Sequence, residues 1–261
     1  MASPIIEIEN VEHWFRDSRS GSLVHAVARA DLAVGSGEFI SIVGPSGCGK
    51  TTLLNIVSGL AAPTRGSVKV KGLPVRGVQP DLIGYMFARD TLLPWRTALS
   101  NVEFGLDSLP RPEARSRAER FLHLVGLDGF EHNYPDQLSH GMRQRVALAR
   151  TLAASPEILL MDEPFGALDA QTKLLMEEEF LRLWEADKKT VLFVTHDLVE
   201  ALTLADRVLV LSARPCRIKA EYKVDFPRPR DAEALQSDPG FAAMVRQVWS
   251  DLKSENIRGR A

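Results

Sequence analysis

The sequence predicts an α/β fold with a largely parallel sheet. Three observations carry that expectation. Short strand-like runs alternate with helical stretches. Several of those runs are continuously apolar, as strands covered on both faces are. The alternation lapses only between about Asp90 and Pro156, where helical patterns dominate, so a helical block is inserted into the α/β core. Composition agrees. The chain has 261 residues, 45% hydrophobic and 25% charged, with a formal net charge of -2. Those values exclude a disordered or collagen-like chain. Two cysteines, Cys48 and Cys216, give neither a disulfide framework nor a metal-ligand spacing, and a reducing cytosol is expected. The near-neutral balance gives no electrostatic support for nucleic-acid binding. The N-terminus lacks the basic and apolar regions of a signal peptide, and no apolar run approaches the roughly 18 residues of a membrane span.

Taken in order, Ile5–Ile8 is the first expected strand and Phe39–Val43 the next. A glycine-rich turn follows, then a helical pattern over Thr52–Val57. Arg65 to Gly72 alternates and reads as a half-exposed antiparallel strand. Ile83–Phe87 returns to the buried type. Helices are expected at Leu99–Leu106, Glu113–Val125 and Met142–Ala154. The charged stretch Arg111–Arg117 reads as a solvated helix face. Strands resume at Ile158–Met161, Val191–Thr195 and Val208–Ser212, and Cys216–Val224 alternates as if closing a hairpin. Pro227-Arg228-Pro229-Arg230 marks a turn before a terminal helix near Phe241–Lys253.

The turn after Phe39–Val43 is Gly44-Pro45-Ser46-Gly47-Cys48-Gly49-Lys50-Thr51, which fits G-x-x-x-x-G-K-[ST] between a strand and a helix that opens with Thr52. A polyphosphate needs many donors in a small volume. Glycines let backbone N–H groups converge, and the helix N-terminus adds its dipole. Lys50 would reach the β- and γ-phosphates, and the Thr51 hydroxyl would bind Mg²⁺. Cys48 reads as a small filler residue rather than a redox switch.

The apolar run Ile158–Met161 ends in Asp162-Glu163. Ligands of parallel sheets bind at the carboxyl ends of strands. Asp162 is placed to hold Mg²⁺ through water. Glu163, one residue further, points elsewhere and is placed to orient or deprotonate an attacking water.

Just before that strand, Leu138-Ser139-His140-Gly141-Met142-Arg143-Gln144-Arg145 begins with Ser139 as a helix N-cap. In this order after the phosphate loop, the stretch resembles the signature of ATP-binding cassette (ABC) ATPases. Other matches follow. Gly166-Ala167-Leu168-Asp169 resembles the D-loop. Val194-Thr195-His196-Asp197 resembles the segment carrying the switch histidine. Phe15 resembles the aromatic that stacks on adenine, with Trp14 as the alternative. The resemblance covers nearly the whole chain. Leu92-Leu93-Pro94-Trp95-Arg96-Thr97, the signature and Phe226-Pro227-Arg228-Pro229-Arg230 are most similar to the nitrate/sulfonate/taurine importer subfamily.

The resemblance implies a P-loop NTPase (RecA-like) core with an antiparallel β subdomain and an inserted α-helical subdomain. One cassette would span 1–261, with the core at 1–87 and 157–225, the helical subdomain at 88–156 and a helical tail at 226–261. It implies a head-to-tail homodimer of cassettes. Each ATP would lie between one phosphate loop and the partner's Ser139, His140, Gly141 and Met142. Glu163 and His196 would be catalytic. Membrane permease subunits would dock near Ala88–Trp95, with a periplasmic or extracellular solute-binding protein engaged indirectly. The protein would sit peripherally on the cytoplasmic face of the membrane, with no role for nucleic acid.

Two residues depart from the family pattern. Ala88 stands where the family has the Q-loop glutamine, which suggests weakened hydrolysis or altered coupling, with Asp90 as a substitute. His140 stands where glycine is usual. Its side chain either points away from the nucleotide or adds positive charge near the γ-phosphate. Two other functions compete with an importer ATPase: a soluble non-transport ABC ATPase, and a cassette that hydrolyses weakly because of Ala88.

Overall fold

The fold is seen in a computed structural model that describes residues 3–17 and 21–258, and of residues 256–258 the backbone alone. The expected domain's outermost residues, 1–2 and 259–261, lie outside the described residues. Among the described residues the strands form two sheets. One holds β1 (Ile6–Arg16), β2 (Leu23–Val34), β4 (Arg65–Val70) and β5 (Leu73–Pro74) in the order β2-β1-β4-β5, all antiparallel. The other is ordered β10-β9-β3-β8-β7-β6, from β3 (Phe39–Val43), β6 (Ile83–Met86), β7 (Ile158–Asp162), β8 (Thr190–Val194), β9 (Arg207–Leu211) and β10 (Ile218–Lys223). Its strands are parallel except β10, which closes an antiparallel hairpin on β9.

The central strands explain why continuous apolar runs occur. Along β7, Ile158 and Leu160 pack toward the antiparallel sheet and α1 (Lys50–Val57), whereas Leu159 and Met161 pack toward the helices on the opposite face. β8 divides in the same way, with Leu192 and Val194 on one side and Val191 and Phe193 on the other. Both faces are dry, so both parities are mainly apolar, with Ser41 and Thr190 the buried polar residues of β3 and β8. On the helical face Phe39 meets Trp184, Phe193 and Phe180 at ring separations of 5.4, 5.7 and 6.0 Å.

Between β6 and β7 the chain runs through α2 (Ala98–Glu103), α3 (Arg111–Leu124) and α4 (His140–Ala153). This is the expected helical insertion. Thr97 caps α2, its hydroxyl accepting from the Ser100 N–H at 3.2 Å. The expected helix Leu99–Leu106 begins one residue earlier, and its last three residues tighten to a 3-10 turn at Phe104–Leu106. After β7 come α5 (Ala170–Ala186) and, beyond β8, α6 (Leu198–Leu204); α7 (Ala232–Gln236) and α8 (Pro239–Arg258) end the chain. Arg230 fixes that last segment. It is buried and donates to the carbonyls of Leu202, Thr203, Ala205, Val224 and Phe226.

Two elements, β2 and α6, escape the sequence pattern. β2 is interrupted by register shifts against β1, and Arg29 within it has a φ of 47°, so a period of two does not persist. α6 is buried nearly all round and shows no polar face. α5 does carry a signal: Met176, Phe180, Leu181 and Trp184 recur at helical spacing behind the Asp169 cap. The expected strand Ile5–Ile8 extends to Arg16, which brings Phe15 onto the sheet.

Candidate active site

The strands β3, β7 and β8 deliver their carboxyl ends to one place. β3 pairs with β8 and β8 with β7, Asp162 lying opposite Val194. A cavity of about 370 Å³ opens there, lined by Phe15, Ser46, Gly47, Gly49, Lys50, Thr51, Thr52, Asp162 and Glu163 from the sequence reading. Gly44, Pro45 and Cys48 lie outside the lining. Trp14 is also outside it and stacks on His25 at 4.1 Å, so Phe15 is the aromatic that faces the cavity.

The loop before α1 is fixed from below. Lys50 is buried, and its ammonium donates to the carbonyls of Gly44 at 2.8 Å and Pro45 at 3.1 Å. A cation is thus held at the mouth of a helix N-terminus, where an anion's charge is met from two sides. Gly49 has a φ of 129°, and a Cβ there would lie 2.9 Å from both the Ala26 carbonyl and the Cys216 sulfur. Only glycine fits. Cys48 and Cys216 are buried beneath the loop. Burial raises the Cys48 thiol pKa, and burial with the neighbouring Cys48 pushes Cys216 up to about 12. Neither is a ready nucleophile, in keeping with a filler role.

Asp162 ends β7 and accepts from the Thr51 hydroxyl at 2.7 Å. Burial raises its carboxyl pKa, against the opposing pull of that hydroxyl. A buried carboxylate beside a hydroxyl oxygen is a hard-donor pair and suits a small divalent cation whose other ligands are phosphate oxygens and water. Glu163 takes a different direction. Its φ of 50° turns the chain, and its N–H is held by the Val194 carbonyl at 2.9 Å. The side chain thereby meets His196, with Oε2 3.3 Å from Nδ1.

The signature residues lie elsewhere. Ser139, His140, Gly141, Met142 and Asp169 are not part of the cavity wall. Ser139 caps α4 by accepting from the Met142 N–H at 3.2 Å. Asp169 caps α5 by accepting from the Thr172 N–H at 3.0 Å, and that backbone hydrogen bond lowers its pKa. His140 is an exposed side chain whose Nδ1 is 3.4 Å from the Arg143 guanidinium. Asp90 does not replace the missing glutamine. Its Oδ2 accepts from Arg143 Nε at 2.9 Å, tying it to the signature helix rather than to the cavity, while Ala88 is exposed.

Sequence reasoning missed two residues that hold this site together. Arg214 lines the cavity and donates to the Gly47 carbonyl at 2.7 Å from across the β9–β10 turn. Its only sequence signal is its place just past the carboxyl end of β9. Gln144, buried on α4, donates to the Pro164 carbonyl at 3.3 Å and so joins the signature helix to the turn after Glu163. It stands inside the signature stretch, but its partner at Pro164 has no local signal.

Comparisons with known proteins agree with this geometry. A family model described as ABC transporter matches residues 27–166. An uncharacterised ABC transporter ATP-binding protein of Methanocaldococcus jannaschii is 48% identical over 97% of this chain and 93% of its own. The nitrate import ATP-binding protein of Synechococcus elongatus is 46% identical over 87% and 84%, and the taurine import ATP-binding protein of Rhizobium johnstonii 40% identical over 98% and 100%. The solved dimeric cassette MJ0796, in a post-hydrolysis state bound to ADP and Pi, superposes with a TM-score of 0.78 at 34% identity, covering 85% of this chain and 100% of that one. A phosphate loop facing an acidic strand end, on a cassette fold shared with these relatives over most of its length, places the chain in the ABC transporter family as an ATP-binding ATPase subunit.

Proposed function

We propose that the chain is the ATP-hydrolysing subunit of an importer for a small solute of the nitrate, sulfonate or taurine type, working through separate permease subunits. The names of the relatives support the solute class and the import direction. The observation that carries the catalytic reading is the 3.3 Å contact between Glu163, which lines the phosphate cavity, and His196, which lies outside its lining. One cassette spans the chain, with the nucleotide core at 1–87 and 157–225, the helical block at 88–156 and the tail at 226–261.

In this reading the loop N–H groups from Ser46 to Thr52 and the Lys50 ammonium bind the phosphates of ATP, and Phe15 stacks on the base. Thr51 and Asp162 would hold Mg²⁺, which neutralises charge on the phosphate oxygens. Glu163 takes the proton of the attacking water as its oxygen bonds to the γ-phosphorus and the bond to the β–γ bridging oxygen breaks, leaving ADP and inorganic phosphate. His196 orients Glu163 and meets the γ-phosphate. Ser139 is exposed, Gly141 is half-buried, and neither lines its own chain's cavity, so in this reading a second copy supplies them, head to tail. No described helix is long and apolar enough to cross a membrane. Membrane association on the cytoplasmic side would come from permeases docking beside Ala88–Trp95, where Trp95 is 71% exposed.

The test is solute uptake in the native host carrying Lys50→Ala. Loss of nitrate, sulfonate or taurine uptake is expected, and unimpaired uptake of all three overturns the solute reading. A second reading, weak hydrolysis, is favoured by exposed Ala88 and by Asp90 being held by Arg143. Ala88→Gln, assayed with the permease, is expected to raise ATPase activity by roughly threefold to tenfold. An unchanged rate with unchanged transport removes any role for this position.

A further inference from the structure

Behind His196 lies a group of charged residues that the reaction does not use. Lys173 stands on α5, one turn after Asp169, its N–H bonded to the Asp169 carbonyl at 2.8 Å. Its ammonium reaches across to α6 and the loop before it. Nζ lies 2.8 Å from Asp197 Oδ2, 3.4 Å from Glu200 Oε1 and 3.6 Å from Glu177 Oε1. Glu177 and Glu200 are buried, with side chains 7% and 4% exposed. Asp197 follows His196 directly. Its Oδ1 caps α6, accepting from the N–H groups of Val199 at 2.9 Å and Glu200 at 3.2 Å. Thr195 precedes His196. Its hydroxyl donates to Glu200 and accepts from the Asp197 N–H at 3.0 Å.

Both neighbours of His196 are therefore tied to one cation. Thr195 reaches it through Glu200, and Asp197 reaches it directly. The imidazole is left at the crest of a short loop whose two feet are pinned, and it is from that crest that Nδ1 meets Glu163. The cation sits on the helix that Asp169 begins. Burial alone would lower the Lys173 pKa, but Glu200 first and then Asp197 hold it above its ordinary value, so the ammonium stays charged.

We propose that Lys173 is a positioning residue for hydrolysis: it locks the helix that starts at Asp169 to the loop that carries His196, and so fixes the imidazole against Glu163. This rests on the reading of Glu163 and His196 given above. A lysine suits the task because a flexible stem with a compact charge can face both Asp197 and Glu200 beyond its own helix. The interlock also gives a physical route from the Asp169 turn to His196. A displacement of α5 pulls on Asp197 and on the buried Glu200 together, because Lys173 is ion-paired to both.

The experiment measures phosphate release by the purified full-length chain with ATP and Mg²⁺. Lys173→Met is expected to lower kcat by roughly tenfold with KM for ATP within about twofold, because the phosphate loop is untouched. Lys173→Arg restores kcat to within about threefold of wild type, since the charge returns on a stem of similar reach. His196→Ala is measured beside them. In that background Lys173→Met changes the residual rate by less than about twofold, because the two residues act in series. A purely structural role would lower both backgrounds alike and overturns the proposal, as does a wild-type kcat in Lys173→Met. If Lys173→Met does not fold, Asp197→Asn carries the test. Asparagine keeps the α6 cap but loses the ion pair, so kcat falls by at least about threefold, and an unchanged kcat is fatal to the interlock. A wild-type rate in His196→Ala instead removes the underlying catalytic reading. A large loss there with none from Lys173→Met overturns the interlock alone.

Discussion

The phosphate loop and the signature turn are both helix N-termini, yet they are built differently. At the phosphate loop the decisive groups are buried and already partnered within the chain. Lys50 is 7% exposed and Asp162 4%, and Arg214 reinforces the loop from a strand-end turn 167 residues away. At the signature, Ser139 caps its own helix and is exposed among the described residues, and the His140 side chain is 60% exposed. One helix N-terminus is organised by its own fold. The other is presented outward. That inequality is what the proposed head-to-tail pairing of two chains would resolve.

The sharpest way to break that comparison is complementation, which also has the largest expected effect. Lys50→Ala removes the loop's cation, and alone it should lower hydrolysis by at least about a hundredfold. Ser139→Asp keeps a good N-cap but sets a carboxylate against the γ-phosphate of the partner-bound ATP, and it should be nearly as damaging. In a head-to-tail dimer of the two variants, one composite site carries both lesions and the other carries neither. An equal mixture should regain roughly a quarter of wild-type phosphate release, from half the dimers with one site each. A mixture no better than its parents places both half-sites on one chain.

A smaller effect sharpens the exposed half. His140, Arg143 and Asp90 form a chain in which Arg143 Nε bonds Asp90 Oδ2 at 2.9 Å and His140 Nδ1 lies 3.9 Å from the same oxygen. If the imidazolium assists the partner's γ-phosphate, ATP affinity should rise about threefold as pH falls from about 8 to 5.5, and His140→Gly should flatten the profile. Identical profiles reject the charge role and leave His140 as a tolerated surface side chain.

The smallest effect is on stability, in the charged cluster behind His196. Burial first, then the charge of Glu200, raises the Glu177 pKa from 4.5 to about 8. The folded chain thus holds a proton there that the unfolded chain releases. The stabilisation is complete below about 4.5 and is lost as pH rises toward 8. Glu177→Gln, which needs no proton, should match wild type in Tm near pH 5 and exceed it by about 2–4 °C near pH 8.5. A difference in Tm that does not grow with pH would mean that Glu177 is ionised throughout.

The legibility of the molecule follows the same division. The phosphate loop and the Asp162-Glu163 strand end were readable because their residues are consecutive and their strand context is apolar on both parities. β2 was not, since its register shifts are decided by β1, and α6 was not, since burial on all sides erases the amphipathic pattern. Sequence reading offered both Phe15 and Trp14 to the base. The antiparallel sheet decided between them by stacking Trp14 on His25.

By itself the sequence determined the parallel core, the inserted helices, the glycine-rich loop with Lys50 and Thr51, and the acids Asp162 and Glu163 beside it. These depend on neighbours in the chain, and local patterning specifies them. Only the tertiary structure decided that Asp90 belongs to Arg143 rather than to the cavity, that Arg214 braces Gly47, that Gln144 joins the signature helix to Pro164, and that Lys173 ties Asp169's helix to the feet of His196. Each is a contact between residues 20 or more apart. No local preference encodes such a contact, because its partners meet only after the sheet and helices have packed.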